Sequence, residues 1–201
     1  MWGALTCAVK SKYSYRRVFT ATSDLQTLHR IDGFSEAELL ETILWNDVFP
    51  LFLTRALLPR LRVAAQHGPV LAQFVGSHAA LVSPVTMAAY AATKAFLAAL
   101  SRGLDNDEQY WGRSTGVRFA YISVGNVSSA GNPQDVNVMT PSSPAFAKAL
   151  VSSIGCGKRY YTPSLPHAVL GWLATVLPEK TMDTMAVGMM KKAIEAQHKR
   201  E

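Results

Sequence analysis

Residues 68–77, with the sequence GPVLAQFVGS, decide the fold of this chain. The Gly-Pro pair signals a turn, the apolar run after it is typical of a buried strand, and the closing Gly-Ser pair begins a loop. A helical apolar pattern precedes this strand, and another over residues 88–110 follows it. Residues 116–124, GVRFAYISV, form a second predicted strand. Because helices and strands alternate, the sequence predicts βαβ units and a parallel sheet.

The predicted fold class is α/β, a partial Rossmann-type, doubly wound parallel sheet of about four strands with helices on both faces. The predicted strands are Leu5–Val9, Val70–Val75, Val117–Val124 and Arg159–Thr162. The predicted helices are Glu36–Leu61, Ala88–Tyr110, Pro144–Ser153 and Met182–His198. Residues 10–32 show little periodicity and are expected to be mostly loop.

The composition suits one domain spanning residues 1–201. Hydrophobic residues make up 49% of the chain, which excludes an intrinsically disordered protein. The two cysteines, Cys7 and Cys156, lack metal-ligand spacing and suggest a reducing compartment, and without a His/Cys cluster no metal is expected. The net charge of +6 is modest and aromatic residues are not interleaved with a basic face, so no nucleic-acid partner is expected.

Tyr90 and Lys94 are the first candidates for chemistry. They stand four residues apart in a predicted helix and therefore lie on the same face. A nearby ammonium favours the phenolate and is expected to lower the pKa of the tyrosine toward neutrality, which suits general acid–base catalysis. The alternative is an exposed helix that carries the two side chains as a surface pair.

Two polar residues accompany this pair. Ser77 lies at the carboxyl end of a predicted strand, where open α/β sheets bind ligands, and there it would hydrogen-bond a substrate oxygen or simply cap a turn. Asn46 lies inside an apolar helix, where Pro50, which lacks an N–H, should kink or interrupt the helix. A buried amide needs partners, so Asn46 belongs either to a site or to a core in which it bonds its own backbone.

Residues 38–178 resemble the carboxyl-terminal two thirds of a short-chain dehydrogenase/reductase. Ser77, Tyr90 and Lys94 match the Ser…Tyr-x-x-x-Lys pattern of that family, and Asn46 matches the asparagine that completes its catalytic tetrad. Within the family, the chain looks most like the microsomal very-long-chain 3-oxoacyl-CoA reductases and their 17β-hydroxysteroid dehydrogenase relatives. Residues 81–96 and 167–178 carry that closer resemblance.

The resemblance implies a hydride transfer between NADPH and a carbonyl carbon, with the protein orienting the cofactor and handling the proton. Tyr90 would donate a proton to the developing alkoxide. Lys94 would lower the pKa of Tyr90 and hold the ribose hydroxyls of the cofactor, and Tyr90 would also contact the cofactor. Ser77 would hydrogen-bond the carbonyl oxygen. Asn46 would anchor a water molecule that links Lys94 to solvent.

The loop after the later strand completes the implied cofactor site. The family uses Pro-Gly-x-Val-x-Thr there, whereas residues 124–129 read VGNVSS. Val127 would offer backbone groups to the nicotinamide carboxamide, and Ser129 would replace the threonine hydroxyl. Val124 in place of proline is expected to loosen the turn.

The amino-terminal cofactor motifs of the family are missing. Neither Thr-Gly-x-x-x-Gly-x-Gly nor Asn-Asn-Ala-Gly occurs in the 201 residues, and Leu5–Val9 is a candidate remnant of one early strand. The chain is therefore either a truncated piece of a longer enzyme or a protein that has lost half of its cofactor site. We expect weak or absent reductase activity from the isolated chain, and an exposed sheet edge that invites aggregation or pairing.

Residues 163–201 form a tail with two interpretations. Ala168–Leu177 is too short to span a bilayer, and it would either dock on a membrane surface or cap the substrate entrance. The terminal basic residues Lys191, Lys192, Lys199 and Arg200 would meet anionic lipid or belong to a solvated helix. Residues 1–9 do not resemble a signal peptide. The expected location is the surface of the endoplasmic reticulum membrane, or otherwise the cytoplasm.

The leading functional hypothesis is an NADP-dependent reductase of a lipid-like carbonyl, such as a 3-oxoacyl-CoA in fatty-acid biosynthesis. One alternative is a tailoring reductase of secondary metabolism that acts on a polyketide or a steroid-like molecule, since variable loops set the substrate. Another is a non-catalytic relative that binds a partner through its exposed sheet edge. The two long helices would form the dimer interface of the family, which makes a homodimer an expected partner.

Overall fold

The computed structural model describes residues 6–11, 14–15 and 29–198. The strands are β1 Thr6–Ser11, β2 Ser14–Tyr15, β3 Val70–Val75, β4 Val117–Ile122 and β5 Tyr160–Tyr161. The helices are α1 Glu36–Ile43, α2 Phe49–Ala65, α3 Ala79–Val82, α4 Ala88–Tyr110, α5 Ser143–Ser153, α6 Leu165–Val176 and α7 Glu179–His198. A 3-10 turn, Ile31–Gly33, precedes α1, and a π-helical turn, Leu44–Val48, joins α1 to α2.

The sheet has the order β2-β1-β3-β4-β5. The last three strands are parallel, with Val70 opposite Val117 and Tyr121 opposite Tyr160, and helices cover them. This confirms the predicted α/β class with a partial doubly wound parallel sheet. The predicted bounds of β3 and α4 agree with the structure, while β4 ends two residues earlier than predicted and α7 begins three residues earlier.

The first strand differs from its prediction. β1 pairs with β3 in the antiparallel direction, from Thr6 opposite Gln73 to Val9 opposite Val70. The expectation that this strand runs parallel to the others was therefore wrong. An antiparallel strand satisfies the unpaired N–H and C=O groups of an edge as well as a parallel one, and it does so without a crossover. Leu5 and most of the predicted loop over residues 10–32 lie outside the described residues.

Alternation along the strands builds two apolar layers. One face of β3 and β4 packs against α2 and α4. The fully buried side chains of this layer are Leu97 from α4 and, from the strands, Val70, Ala72, Phe74, Val117, Phe119 and Tyr121. The opposite face holds Ala120, Ile122 and Tyr161, with Leu150 of α5 packed on them. Because residues i and i+2 share a face, the same short run supplies both layers.

The π-helical turn lies where Pro50 was expected to disturb the helix. Pro50 has no N–H to donate to the carbonyl of Asn46, and the neighbouring Phe49 N–H reaches five residues back to Leu44. The helical run from α1 to α2 therefore continues through the disturbance, and the turn aims Asn46 into the protein.

The tail contains a helix that the sequence analysis treated only as a docking or capping segment. α6 begins with Pro166 in its first turn, where a missing N–H costs nothing. It packs beside α3, next to the carboxyl end of β3. Within the described residues, every helix is too short or too polar to cross a bilayer.

Candidate active site

Helix α4 carries Tyr90 and Lys94 to the carboxyl ends of the parallel strands. Lys94 is only 2% exposed, and its ammonium lies 5.2 Å from the centre of the Tyr90 ring. Tyr90 is half-buried. A surface pair, the alternative interpretation of the motif, does not describe this lysine, because its charged end is buried.

Asn46 meets Lys94 across two helices that are distant in sequence. The ammonium donates to the Asn46 side-chain oxygen at 2.8 Å, and the Asn46 amide donates to the carbonyl of Thr42 at 3.0 Å. Asn46 is 1% exposed. Both interpretations of Asn46 therefore hold in part, since it bonds its own helix and also contacts Lys94.

Burial controls the protonation of this cluster. Removal from water lowers the pKa of Lys94 to about 8, and the negative charge of Asp47 opposes that shift. Burial likewise raises the pKa of the Asp47 carboxyl to about 6, while the positive charge of Lys94 opposes the rise. The two ionisable groups thus influence each other, and both titrate within about one or two pH units of neutrality.

Ser77 begins the loop after β3, and Tyr121 of β4 holds it. The Ser77 N–H donates to the Tyr121 hydroxyl at 2.9 Å, and that hydroxyl donates to the Ser77 carbonyl at 3.2 Å. The Ser77 side chain accepts the N–H of Ala79 at 3.1 Å, as a turn-capping serine does. The pKa of the Tyr121 phenol is raised, mainly by burial and less by Tyr160 and Tyr90. Two hydrogen bonds to Tyr121 therefore hold the Ser77 backbone in place. Because the Ser77 hydroxyl accepts the bond from Ala79, its own proton stays available for donation.

The loop after β4 is tied by side-chain amides. Asn126 donates to Gln134 at 2.7 Å, Gln134 donates to Asn132 at 3.1 Å, and Asn132 donates to Asn126 at 2.8 Å. Asn132 also donates to the carbonyl of Val127, and its own N–H reaches the Ser129 hydroxyl. The expected loosening of this turn is therefore offset by a closed ring of amides, which the sequence analysis did not identify.

A pair of buried histidines lies beside Ser77 and was not predicted from the sequence. The rings of His78 and His167 meet edge to face with centroids 5.9 Å apart, and His167 Nε2 donates to the carbonyl of Met139 at 3.0 Å. Both ring nitrogens of His78 are buried without a hydrogen-bond partner among the described residues. Burial, aided by His167, lowers the pKa of His78 to about 4. A β-carbon at Gly125 would lie 2.7 Å from the His167 ring, so the pair also packs under the loop after β4.

The chain matches the short chain dehydrogenase family over residues 17–137, which is more than half of its length. The chain belongs to that family. The predicted recognition of the family is thus confirmed.

The curated relatives are very-long-chain 3-oxoacyl-CoA reductases. The chain is 29% identical over 188 residues to very-long-chain 3-oxoacyl-CoA reductase-B of Danio rerio, covering 93% of the chain and 55% of that protein. It is 27% identical over 170 residues to a very-long-chain 3-oxoacyl-CoA reductase-like protein of Arabidopsis thaliana, covering 83% of the chain and 53% of the relative. The chain therefore spans about half the length of the curated relatives that it matches.

Solved structures support the same fold. A short chain dehydrogenase from Burkholderia cenocepacia, in complex with NADP, superposes with a TM-score of 0.66 at 15% identity. The match covers 83% of this chain and 68% of that one. At this identity the likeness speaks for the Rossmann-type fold alone.

Proposed function

We propose that this chain carries the proton-transfer half of an NADP-dependent short-chain reductase acting on a lipid-like carbonyl. The observation that supports this most strongly is the buried Lys94 ammonium, set between the Tyr90 ring and the Asn46 side chain. Burying a lysine is costly, and a fold bears that cost where the charge does chemical work.

Each residue then has a defined role. Tyr90 donates its hydroxyl proton to the oxygen of the substrate as negative charge develops there. Lys94 favours the phenolate that Tyr90 becomes. The Ser77 hydroxyl donates a hydrogen bond to the same substrate oxygen. Asn46 fixes the position of the ammonium. The nicotinamide cofactor, when bound, supplies the hydride.

The residues fit one end of a nicotinamide dinucleotide. An ammonium has three N–H groups, of which Lys94 gives one to Asn46, so the others can donate to ribose hydroxyls. The Val127 carbonyl accepts a hydrogen bond from Asn132. The Val127 N–H would donate a hydrogen bond to the nicotinamide carboxamide. Ser129 would add a hydroxyl near the phosphates. The glycine-rich phosphate turn does not occur in this sequence, so weak affinity is expected.

The proposed substrate class, a 3-oxoacyl-CoA, follows from the names of the curated relatives. An apolar stripe on α6 accords with a lipid-like substrate or a membrane surface. Leu165, Val169, Trp172 and Val176 repeat at helical spacing and are 76%, 49%, 61% and 53% exposed. An interfacial helix of this kind would place the chain on the endoplasmic reticulum membrane, its proposed location, with the cytoplasm as the alternative.

A homodimer is the proposed partner. Leu40 on α1 and Phe52 on α2 are more than half exposed, and Phe96 on α4 is 37% exposed. Apolar side chains on two neighbouring helices favour a helical interface between copies. The tailoring reductase remains the alternative enzyme. The non-catalytic alternative keeps the feature that distinguishes it, since the glycine-rich turn does not occur in this sequence.

The test is cofactor binding and turnover with the purified chain. NADPH fluorescence should change on titration with the protein, and NADPH should be oxidised slowly when a long-chain 3-oxoacyl-CoA is added. Tyr90→Phe should still bind NADPH and lose turnover by a factor of about 100 or more. No NADPH binding at millimolar concentration would favour the non-catalytic alternative. Turnover at ordinary enzyme rates would contradict the expected weakness of the cofactor site.

A further inference from the structure

Among the described residues, the buried Lys94 forms no ion pair within contact distance. Its hydrogen-bond partner Asn46 is neutral, and the centre of the Tyr90 ring lies 5.2 Å from the ammonium. The ion pairs that the described residues form link other side chains, at Arg62, Arg118 and Arg159. A buried ammonium without a nearby negative charge tends to lose its proton.

Asp47 is placed to supply that charge. It follows Asn46 in the π-helical turn, on the helix that faces α4. Its Oδ1 atom is buried and has no hydrogen-bond partner among the described residues, so this oxygen is not held by another donor there. The charges of Asp47 and Lys94 act on each other although no short ion pair joins them.

We propose that Asp47 is a positioning residue of the proton-transfer site, where its carboxylate is the counter-charge that keeps Lys94 protonated. This inference rests on the proposed function for its catalytic meaning, although the electrostatic pairing itself does not. Asp47 acts through Lys94 and is not assigned contact with substrate or cofactor. The π-helical turn matters because it lets consecutive residues, Asn46 and Asp47, serve the same ammonium.

The pH dependence follows from the groups around the pair. Helix α4 presents Tyr90 and Lys94, β4 presents Tyr121, and the nearest acid on α1, Glu41, bonds the Trp45 indole. With the Asp47 pKa at about 6 and the Lys94 pKa at about 8, both groups are charged between those values. Below this range Asp47 is neutral, and above it Lys94 is neutral.

The decisive experiment titrates Lys94 in the free protein, without cofactor or substrate. The chain is prepared with 13Cε-lysine, and the Lys94 resonance is assigned by its loss in Lys94→Met. Asp47→Asn should move the titration midpoint of Lys94 down by about one pH unit. The control, Asp107→Asn, removes the same charge from an exposed site on α4 and should leave the midpoint unchanged. An equal midpoint in Asp47→Asn and the unsubstituted chain overturns the proposal.

If the Asp47→Asn variant does not fold, a second measurement on the unsubstituted chain tests the same proposal. In the unsubstituted chain, the Lys94 resonance should show a small additional step near pH 6, where the neighbouring carboxyl ionises, and absence of that step overturns the proposal. Neither titration requires reductase activity, so failure of the proposed function leaves this result readable. If the chain does turn over, Asp47→Asn should lower kcat above neutral pH with little change in KM, and Asp107→Asn should change neither.

Discussion

His78→Gln should make the stability of this protein much less sensitive to acid. The buried His78 ring has a pKa of about 4 in the folded chain, against a reference value of 6.5. At pH values between these two pKa values, the unfolded chain therefore binds a proton at His78 and the folded chain does not. Stability due to the neutral ring is complete above the higher pKa and is lost as the pH falls through the window.

The expected magnitude follows from the size of that window. One pH unit corresponds to about 1.36 kcal/mol, so a window of about 2.5 units implies a loss of roughly 3 kcal/mol on acidification. His78 is 8% exposed, so solvent screens this effect little. A loss of this size is a substantial part of the roughly 5–15 kcal/mol that holds a typical domain together.

The effect is measured by urea denaturation at several pH values between about 7.5 and 4.5. This range includes most of the window between the reference pKa of histidine and the pKa of His78 in the folded chain. The difference in unfolding free energy between the unsubstituted chain and His78→Gln should change by about 2–3 kcal/mol across that range. His67→Gln is the matched control, because it removes an exposed imidazole and should leave the pH slope as it was. Parallel stability curves for His78→Gln and the unsubstituted chain would refute the reasoning.

Gly76→Ala should be strongly destabilising, because the new β-carbon would lie 1.8 Å from the Tyr121 ring. A thermal melt should show a fall of several °C, in line with a loss of about 2 kcal/mol or more, whereas Gly103→Ala, with open space around it, should raise the melting temperature slightly. Unchanged melting of Gly76→Ala would mean that the two strand ends are further apart. Asn46→Ala should cost about 1–3 kcal/mol, since it leaves the buried Lys94 ammonium without its acceptor. Urea denaturation measures this cost, and a neutral result would show that the contact is dispensable.

The local elements of this protein were accessible from its sequence. Val70–Val75 and Ala88–Tyr110 were predicted with the bounds that the structure has, because apolar periodicity reports which face of an element is buried. The spacing of Tyr90 and Lys94 placed both on one helix face for the same reason. The disturbance near Asn46 was also predictable, since the missing N–H of Pro50 acts within a single turn.

Contacts between distant segments were decided by the tertiary structure alone. The bond between Lys94 and Asn46 joins residues 48 positions apart, and the meeting of His78 with His167 depends on how α6 packs beside α3. The antiparallel direction of β1 was equally hidden, because an unpaired strand edge accepts either direction. Burial set the protonation of Asp47, since the cost of charge depends on how much water the neighbouring elements exclude. Sequence periodicity encodes which face is buried, whereas packing determines what that face meets.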